Sequence, residues 1–211
     1  MSCGSGWQTD PVTDVLAPTP EGLARAAELL DDGAVVAFPT DTVYGVAVVG
    51  SRPDRLEALF ELKRRPVDRR IPMLVADLDQ AVGAGAVADE HARHLAARFW
   101  PGALTLVLAT ADGGTQAYRA PDHEVALALI RATGPLFATS ANISDQPDTL
   151  GADDVLIAFA TQQDELAAVV DGGAVPGGVA STVVDASVTP MRILRPGPIG
   201  REELAVVAEI V

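Results

Sequence analysis

Three short apolar runs limit how this chain can fold: Ala34-Val35-Val36-Ala37-Phe38, Ala103-Leu104-Thr105-Leu106-Val107-Leu108 and Leu136-Phe137-Ala138-Thr139. Each has strand length and little polar alternation, the pattern of strands buried on both faces. Helix signals stand between them. Thr19 followed by Pro20 and Glu21 opens a helix with Leu23, Ala26, Ala27 and Leu30 on one face, and Gly33 closes it. Pro53 opens a second, with Leu56, Leu59 and Phe60 as its apolar face, which must end near Arg65 because Pro66 restricts the residue before it. Asp89 starts a helix running to Phe99, Asp122 caps one through Arg131, and residues 153–160 and 201–210 read as two more. Residues 43–49, Met73-Leu74-Val75, Ala168-Val169-Val170, Thr182-Val183-Val184 and Arg192-Ile193-Leu194 read as further strands, with Pro72 placing the second at an edge or a strand start. Strands alternating with helices predict an α/β fold with a twisted mixed β-sheet flanked by helices.

The chain has 211 residues, 48% of them hydrophobic, which suits a single domain with a sizeable core. No internal repeat or linker divides it, so residues 19–211 are expected to form the domain and residues 1–18 a flexible N-terminal segment. The net charge of -14 opposes non-specific binding to nucleic acid. Cys3 is the only cysteine, so no intramolecular disulfide can form and a reducing compartment is expected. No apolar stretch reaches about 18 residues, and residues 1–18 lack a basic start and an apolar run, so a soluble, cytoplasmic protein is expected.

Polar chemistry collects at the strand ends. The first apolar run leads into Pro39-Thr40-Asp41-Thr42-Val43-Tyr44-Gly45, with two hydroxyls, a carboxylate and a phenol at the place where open α/β sheets bind ligands. An ordinary turn would also use Thr, Asp and a permissive Gly45, and Asp41 has only a turn-forming role to offer. The chain has 15 Lys and Arg, yet Lys63, Arg64, Arg65, Arg69 and Arg70 crowd into one stretch at the end of the second helix. Compensation of the helix dipole accounts for one or two of them, and five point to a bound anion. The segment Asp171-Gly172-Gly173-Ala174-Val175-Pro176-Gly177-Gly178-Val179-Ala180-Ser181-Thr182 can offer backbone amides and hydroxyls to an anion, or be a flexible loop, and it lacks the Gly-Lys-Ser/Thr ending of a P-loop. Arg195 sits on the turn Arg195-Pro196-Gly197-Pro198. His91 and His94, three apart, fit a surface helix face better than a zinc site, and Ser140 and Ser144 lie in no nucleophile elbow. A cleft of hydroxyls, an amide and cations without a covalent catalyst suits phosphoryl or nucleotidyl transfer by positioning and charge stabilisation.

In order along the chain, Pro39-Thr40-Asp41-Thr42-Val43-Tyr44-Gly45, Lys63-Arg64-Arg65-Pro66, Phe99-Trp100-Pro101-Gly102, Arg119-Ala120-Pro121-Asp122-His123, Ser140-Ala141-Asn142-Ile143-Ser144, Pro176-Gly177-Gly178 with Ser181-Thr182, and Ile193-Leu194-Arg195-Pro196-Gly197 resemble the motifs of the YrdC/Sua5 family of threonylcarbamoyl-AMP synthases, in its short form without a further C-terminal domain. The resemblance implies an enzyme, a nucleotidyltransferase that converts L-threonine, bicarbonate or CO2 and ATP to threonylcarbamoyl-AMP and pyrophosphate for the t6A modification of tRNA. It implies catalytic roles for Lys63 and Arg65, which match a K-x-R pair binding phosphate and the carbamate or carboxylate. Thr40, Thr42, Tyr44, Arg119, Ser140 and Asn142 match substrate-binding positions. Ser140, Asn142, Ser144, Ser181 and Arg195, with Lys63 and Arg65, match ATP-binding ones. No protein-held metal is implied, and Mg2+ would arrive with ATP on phosphate oxygens. Partners would be tRNA-modification proteins that take up the adenylate, with neither a membrane nor strong direct nucleic-acid binding expected.

Three departures stand out against the family: Asp145 replaces the Gly usual after the S-A-N-x-S motif, Arg69-Arg70 replaces Lys followed by Pro or Gly, and the 109–118 segment is short. They leave open a member acting on a related carbamoyl or acyl substrate. A carbamoyl-adenylate-forming carbamoyltransferase and an RNA-binding module are the alternative readings, and the second is opposed by the acidic charge and by only 2 Trp and 2 Tyr. Lys63 and Arg65 are expected on an exposed helix end.

Overall fold

The computed structural model describes residues 13–64, 70–144, 146–162, 165–177 and 179–211. Among them, eleven strands form one mixed sheet, in the order β1-β9-β2-β3-β8-β4-β7-β6-β10-β11 with β5 beside β6. These are β1 (Asp14–Leu16), β2 (Val35–Pro39), β3 (Tyr44–Val49), β4 (Met73–Leu74), β5 (Ala86–Val87), β6 (Leu104–Thr110), β7 (Thr115–Arg119), β8 (Leu136–Ser140), β9 (Leu166–Val170), β10 (Thr182–Asp185) and β11 (Arg192–Arg195). The helices are α1 (Pro20–Asp31), α2 (Leu56–Lys63), α3 (Leu78–Gly83), α4 (Glu90–Phe99), α5 (Glu124–Thr133), α6 (Ala152–Ala158) and α7 (Arg201–Ala205).

Local chemistry explains most boundaries. The Thr19 hydroxyl accepts from the Gly22 amide to cap α1, Pro20 occupies its first turn, and Gly33 leaves it at a φ of 87°. Asp77 and Asp89 cap α3 and α4 in the same way. A single 3-10 turn, Pro53–Arg55, precedes α2, which ends at Lys63, two residues before the expected limit at Arg65, because Arg64 adopts a left-handed conformation with φ 50°.

Alternate residues of β2 and β3 point to opposite faces and both faces are filled. Val36, Phe38, Ala47 and Val49 pack with Leu30 of α1 and with Leu129 and Ile130 of α5. Val35, Ala37, Val46 and Val48 pack with Leu59 and Leu62 of α2 and Val155 of α6. At the other end of the sheet, Leu104, Leu106 and Leu108 of β6, Tyr118 of β7 and Val184 of β10 pack against Leu95 of α4 and Leu204 of α7. Register fixes the consequence: Leu106 faces Tyr118 and Val184, so Thr105, Ala117, Arg119 and Val183 share the opposite face.

Several expectations need correction. Residues 14–16, within the N-terminal segment expected to be flexible, form β1, which runs parallel to β9. The strand β4 lies between β8 and β7 rather than at an edge; Pro72 precedes it and offers only its carbonyl, which accepts from the Ala138 amide. His123, not Asp122, occupies the cap position of α5, and it caps through no side-chain hydrogen bond. The closing helix stops at Ala205, and Ile210 returns to bridge Met191. The short strand β7, within a segment read only as a shortened connection, forms a hairpin with β6.

Candidate active site

The turn between β2 and β3 is organised by one hydroxyl. Thr40 Oγ1 donates to the Val43 carbonyl at 2.6 Å and accepts from the Thr42 and Val43 amides at 3.2 and 3.3 Å. It also lies 3.1 Å from Thr42 Oγ1. Thr42 Oγ1 in turn accepts from Arg119 Nη1 at 3.2 Å. The same guanidinium donates through Nε to the Gly102 carbonyl at 3.0 Å and through Nη2 to both carboxylate oxygens of Asp41, each at 2.7 Å. Arg119 is 8% exposed. Burial pulls its pKa down, and the adjacent Asp41 charge opposes that shift. The turn reading is therefore correct for Thr40, while Asp41 holds an arginine 78 residues away in sequence.

Tyr44 is fully buried, and its hydroxyl donates to the Gly173 carbonyl at 2.7 Å, tying the glycine-rich segment to β3. Burial raises the phenol pKa, so it stays a donor. Lys63 closes α2 four residues after Leu59 and is 3% exposed, against the expectation of an exposed helix end. Its Nζ donates to the Ser140 carbonyl, to Ser140 Oγ at 3.2 Å and to Asn142 Oδ1 at 3.0 Å. Ser140 Oγ donates to Asn142 Oδ1 at 2.7 Å, and Asn142 Nδ2 donates to the Gln146 carbonyl at 2.6 Å. Lys63 thus fastens the end of β8 and the loop after it, and the Ser144 amide donates to the Lys63 carbonyl.

Across the sheet, Ser181 Oγ and Thr105 Oγ1 are 2.8 Å apart. The exposed Arg195 clasps Ser181, its Nη2 donating to the carbonyl at 2.9 Å and to Oγ at 3.2 Å. Arg70 donates to the Thr115 carbonyl and hydroxyl at 2.7 and 2.6 Å.

These groups border one cleft of about 430 Å³, within the range of small-molecule sites. Thr40, Thr42, Tyr44, Arg119, Ser140, Ser181 and Arg195 line it. Lys63 and Asn142 reach it through Ser140, and Ser144 is not among its lining residues. Arg65, with Arg69, Asp145 and Gly178, lies outside the described residues. The basic cluster divides, because Arg70 borders the cleft while Arg64 reaches toward Thr161. Sequence reasoning missed Asp148, which has no signal beyond its nearness to the Ser140 loop, and Thr105, whose signal was a hydroxyl inside an apolar run. His91 and His94 are exposed on α4, and among the described residues no group of three or more His, Cys, Asp or Glu side chains could hold a metal ion.

The Sua5/YciO/YrdC family model, described as "Telomere recombination", matches residues 28–197. The chain is 41% identical to the threonylcarbamoyl-AMP synthase of Bacillus subtilis, covering 95% of this chain and 60% of that protein. It is 34% identical to a putative threonylcarbamoyl-AMP synthase of Mycobacterium tuberculosis, covering 87% and 88%. The structure resembles that of Pyrococcus abyssi Sua5 complexed with L-threonine, with a TM-score of 0.84 and 34% identity over 95% of this chain and 62% of that one. The chain therefore spans about three fifths of the length of the Bacillus and Pyrococcus relatives. On the family match and these identities together, the chain belongs to the Sua5/YciO/YrdC family.

Proposed function

We propose that the cleft joins L-threonine, bicarbonate or CO2 and ATP into L-threonylcarbamoyl-AMP and pyrophosphate, for t6A modification of tRNA. The observation that carries this reading is the convergence on one cleft of hydroxyls and guanidiniums from seven separate segments, in a fold shared with a threonine-complexed relative.

In the first step the threonine amine adds to the carbon of CO2 and loses a proton, giving a carbamate. A carbamate oxygen then attacks the α-phosphorus, and the bond to the pyrophosphate oxygen breaks. Both partners are anions, so the protein's work is to hold them in line and offset their charge. The Thr40–Tyr44 turn and Arg119 form the amino-acid end. Ser181 and Arg195 suit the nucleotide end, with Arg70 as a further cation on the rim. Ser140, braced by Lys63 and Asn142, stands between. Arg65 and Ser144 keep their assignments to phosphate and nucleotide on resemblance alone.

Mg2+ would be supplied with ATP and screen the triphosphate. The chain offers it no cage among the described residues: Asp41 is bound to Arg119, and Asp148 is the carboxylate lining the cleft. The ion would accordingly ride on phosphate oxygens. The same reading assigns residues 19–211, together with β1, to the catalytic domain and implies a tRNA-modifying partner for the reactive adenylate. No helix among the described residues is long and apolar enough to cross a membrane.

The test is pyrophosphate release from ATP and bicarbonate with threonine present and then omitted. Release that depends on threonine is expected. Release that ignores threonine but requires carbamoyl phosphate, or salt-sensitive RNA binding without turnover, would contradict the proposal.

A further inference from the structure

The geometry points to Asp41 as a positioning residue: it fixes Arg119 in the plane and rotamer from which that arginine receives the carboxylate of the amino-acid substrate. The inference rests on the reading of the cleft given above.

Three features carry it. Arg119 lines the cleft and Asp41 does not, so the carboxylate acts on the substrate only through the guanidinium. Both Asp41 oxygens meet Nη2 at 2.7 Å, Nε is held by the Gly102 carbonyl, and Nη1 donates to Thr42 Oγ1. A guanidinium has five N–H groups in one plane, and this set of acceptors leaves one Nη1–H beyond the bond to Thr42 Oγ1, on a nitrogen held beside the turn that forms the amino-acid end. The pair is also nearly dry, its side chains 10% and 16% exposed. A guanidinium buried to that degree without its counter-charge would be costly and free to swing about its Nε. Asp41 therefore compensates the buried charge of Arg119 and cancels much of its long-range field. What remains at this end of the cleft is a directional donor beside a hydroxyl, which discriminates by geometry rather than attracting any anion. The triphosphate, by contrast, meets the exposed Arg195 and Arg70, whose guanidiniums have no carboxylate partner among the described residues.

The experiment is steady-state pyrophosphate release for the wild type, D41N, R119Q and D41N/R119Q, with threonine and ATP varied separately and thermal unfolding recorded for each. Asn preserves shape and one acceptor, so D41N is expected to unfold cooperatively while its KM for threonine rises about tenfold, as charge-assisted bonds go out of register, and its KM for ATP stays within about twofold. Because Asp41 acts through Arg119, the double variant is expected to match R119Q alone, and this holds even if D41N by itself is too unstable to assay. Equal rises in both KM values, no change in either, or additive losses in the double variant would overturn the role of Asp41. A wild type that shows no threonine-dependent release overturns the reaction itself, whereas an active wild type with an indifferent D41N overturns the positioning role alone.

Discussion

Across β9, β2 and β3 the sheet is covered on both faces, by α1 and α5 on one and by α2 and α6 on the other. Across β7, β6 and β10 it is covered on one face, by α4 and α7, and the other is the floor of the cleft. The same strand geometry serves opposite ends in the two halves. In β2 and β3, buried on both faces, the strands read as unbroken apolar runs. In β6 the apolar run 103–108 suggests the same, but only one face is covered: Thr105, with Ala117 and Val183 beside it, lines the cleft and alternates with buried Leu106, Tyr118 and Val184. The first half packs a buried cluster on each face, and the second packs one on a single face and presents polar groups on the other.

The largest expected effect lies in the doubly covered half. Phe38 is fully buried against α1 and α5, so Phe38→Ala should lower unfolding free energy in urea by about 3 to 5 kcal/mol. A loss under about 1 kcal/mol would break the contrast at once.

Lys63→Met comes next. It removes a buried charge from Ser140 and Asn142, so both activity and stability should fall. Pyrophosphate release should drop on the order of 100-fold, as when a preorganised charge-stabilising donor is lost. Chemical denaturation should show a loss of about 1 to 3 kcal/mol from the acceptors left unpaired. Wild-type release from this variant would remove Lys63 from the catalytic account.

Ser181→Ala should be milder. Thr105 and the Arg195 guanidinium each lose one hydroxyl partner, while the Ser181 carbonyl still binds Arg195. A rise in the KM for ATP of about tenfold, without a comparable rise for threonine, is expected from one charge-assisted hydrogen bond.

The pH dependence of stability should be smaller still. Burial holds the His123 imidazole below its usual pKa, against the pull of Asp41, Glu124 and Asp122. The unfolded chain therefore takes up a proton before the folded one, so stability should decline as pH falls through the unfolded value of about 6.5, and level off below the folded value. Urea titrations of His123→Gln should lack that step. On the open floor, Val183→Ala should change unfolding free energy by less than about 1 kcal/mol, since the side chain is only partly buried and lies outside the core cluster.

Much of this contrast could be read from the residues. Thr19, Pro20 and Gly33 bounded α1, and the runs at Val35 and Leu136 gave the central strands, because burial on both faces leaves a continuous apolar signal. The open half was harder to see. In β7 the sequence Thr-Gln-Ala-Tyr-Arg mixes polar and buried positions, and nothing local distinguishes it from a loop. Pro72 leaves an edge or a strand start open, and the strand start is what forms: it directly precedes β4, where no ladder amide is required of it. For the site, the motifs predicted which residues gather, but not how they pair. The burial of Lys63 was legible in part, since it follows Leu56 by seven residues and Leu59 by four on the apolar face of α2. The bond from Asp41 to Arg119 was not, because the two residues, 78 apart, meet only through the sheet order β2-β3-β8-β4-β7, which carries no local pattern.

The most direct test of the central claim, that the cleft between the 40–44 turn and the open floor of β7, β6 and β10 holds both substrates, is amide hydrogen exchange with and without L-threonine and a non-hydrolysable ATP analogue. Slower exchange is predicted in the 40–44 turn on adding threonine, and in residues 138–140 and 180–183 on adding the analogue, with α6 unchanged. Protection confined to the α2 and α6 face, or none at the cleft under saturating ligands, would contradict the account.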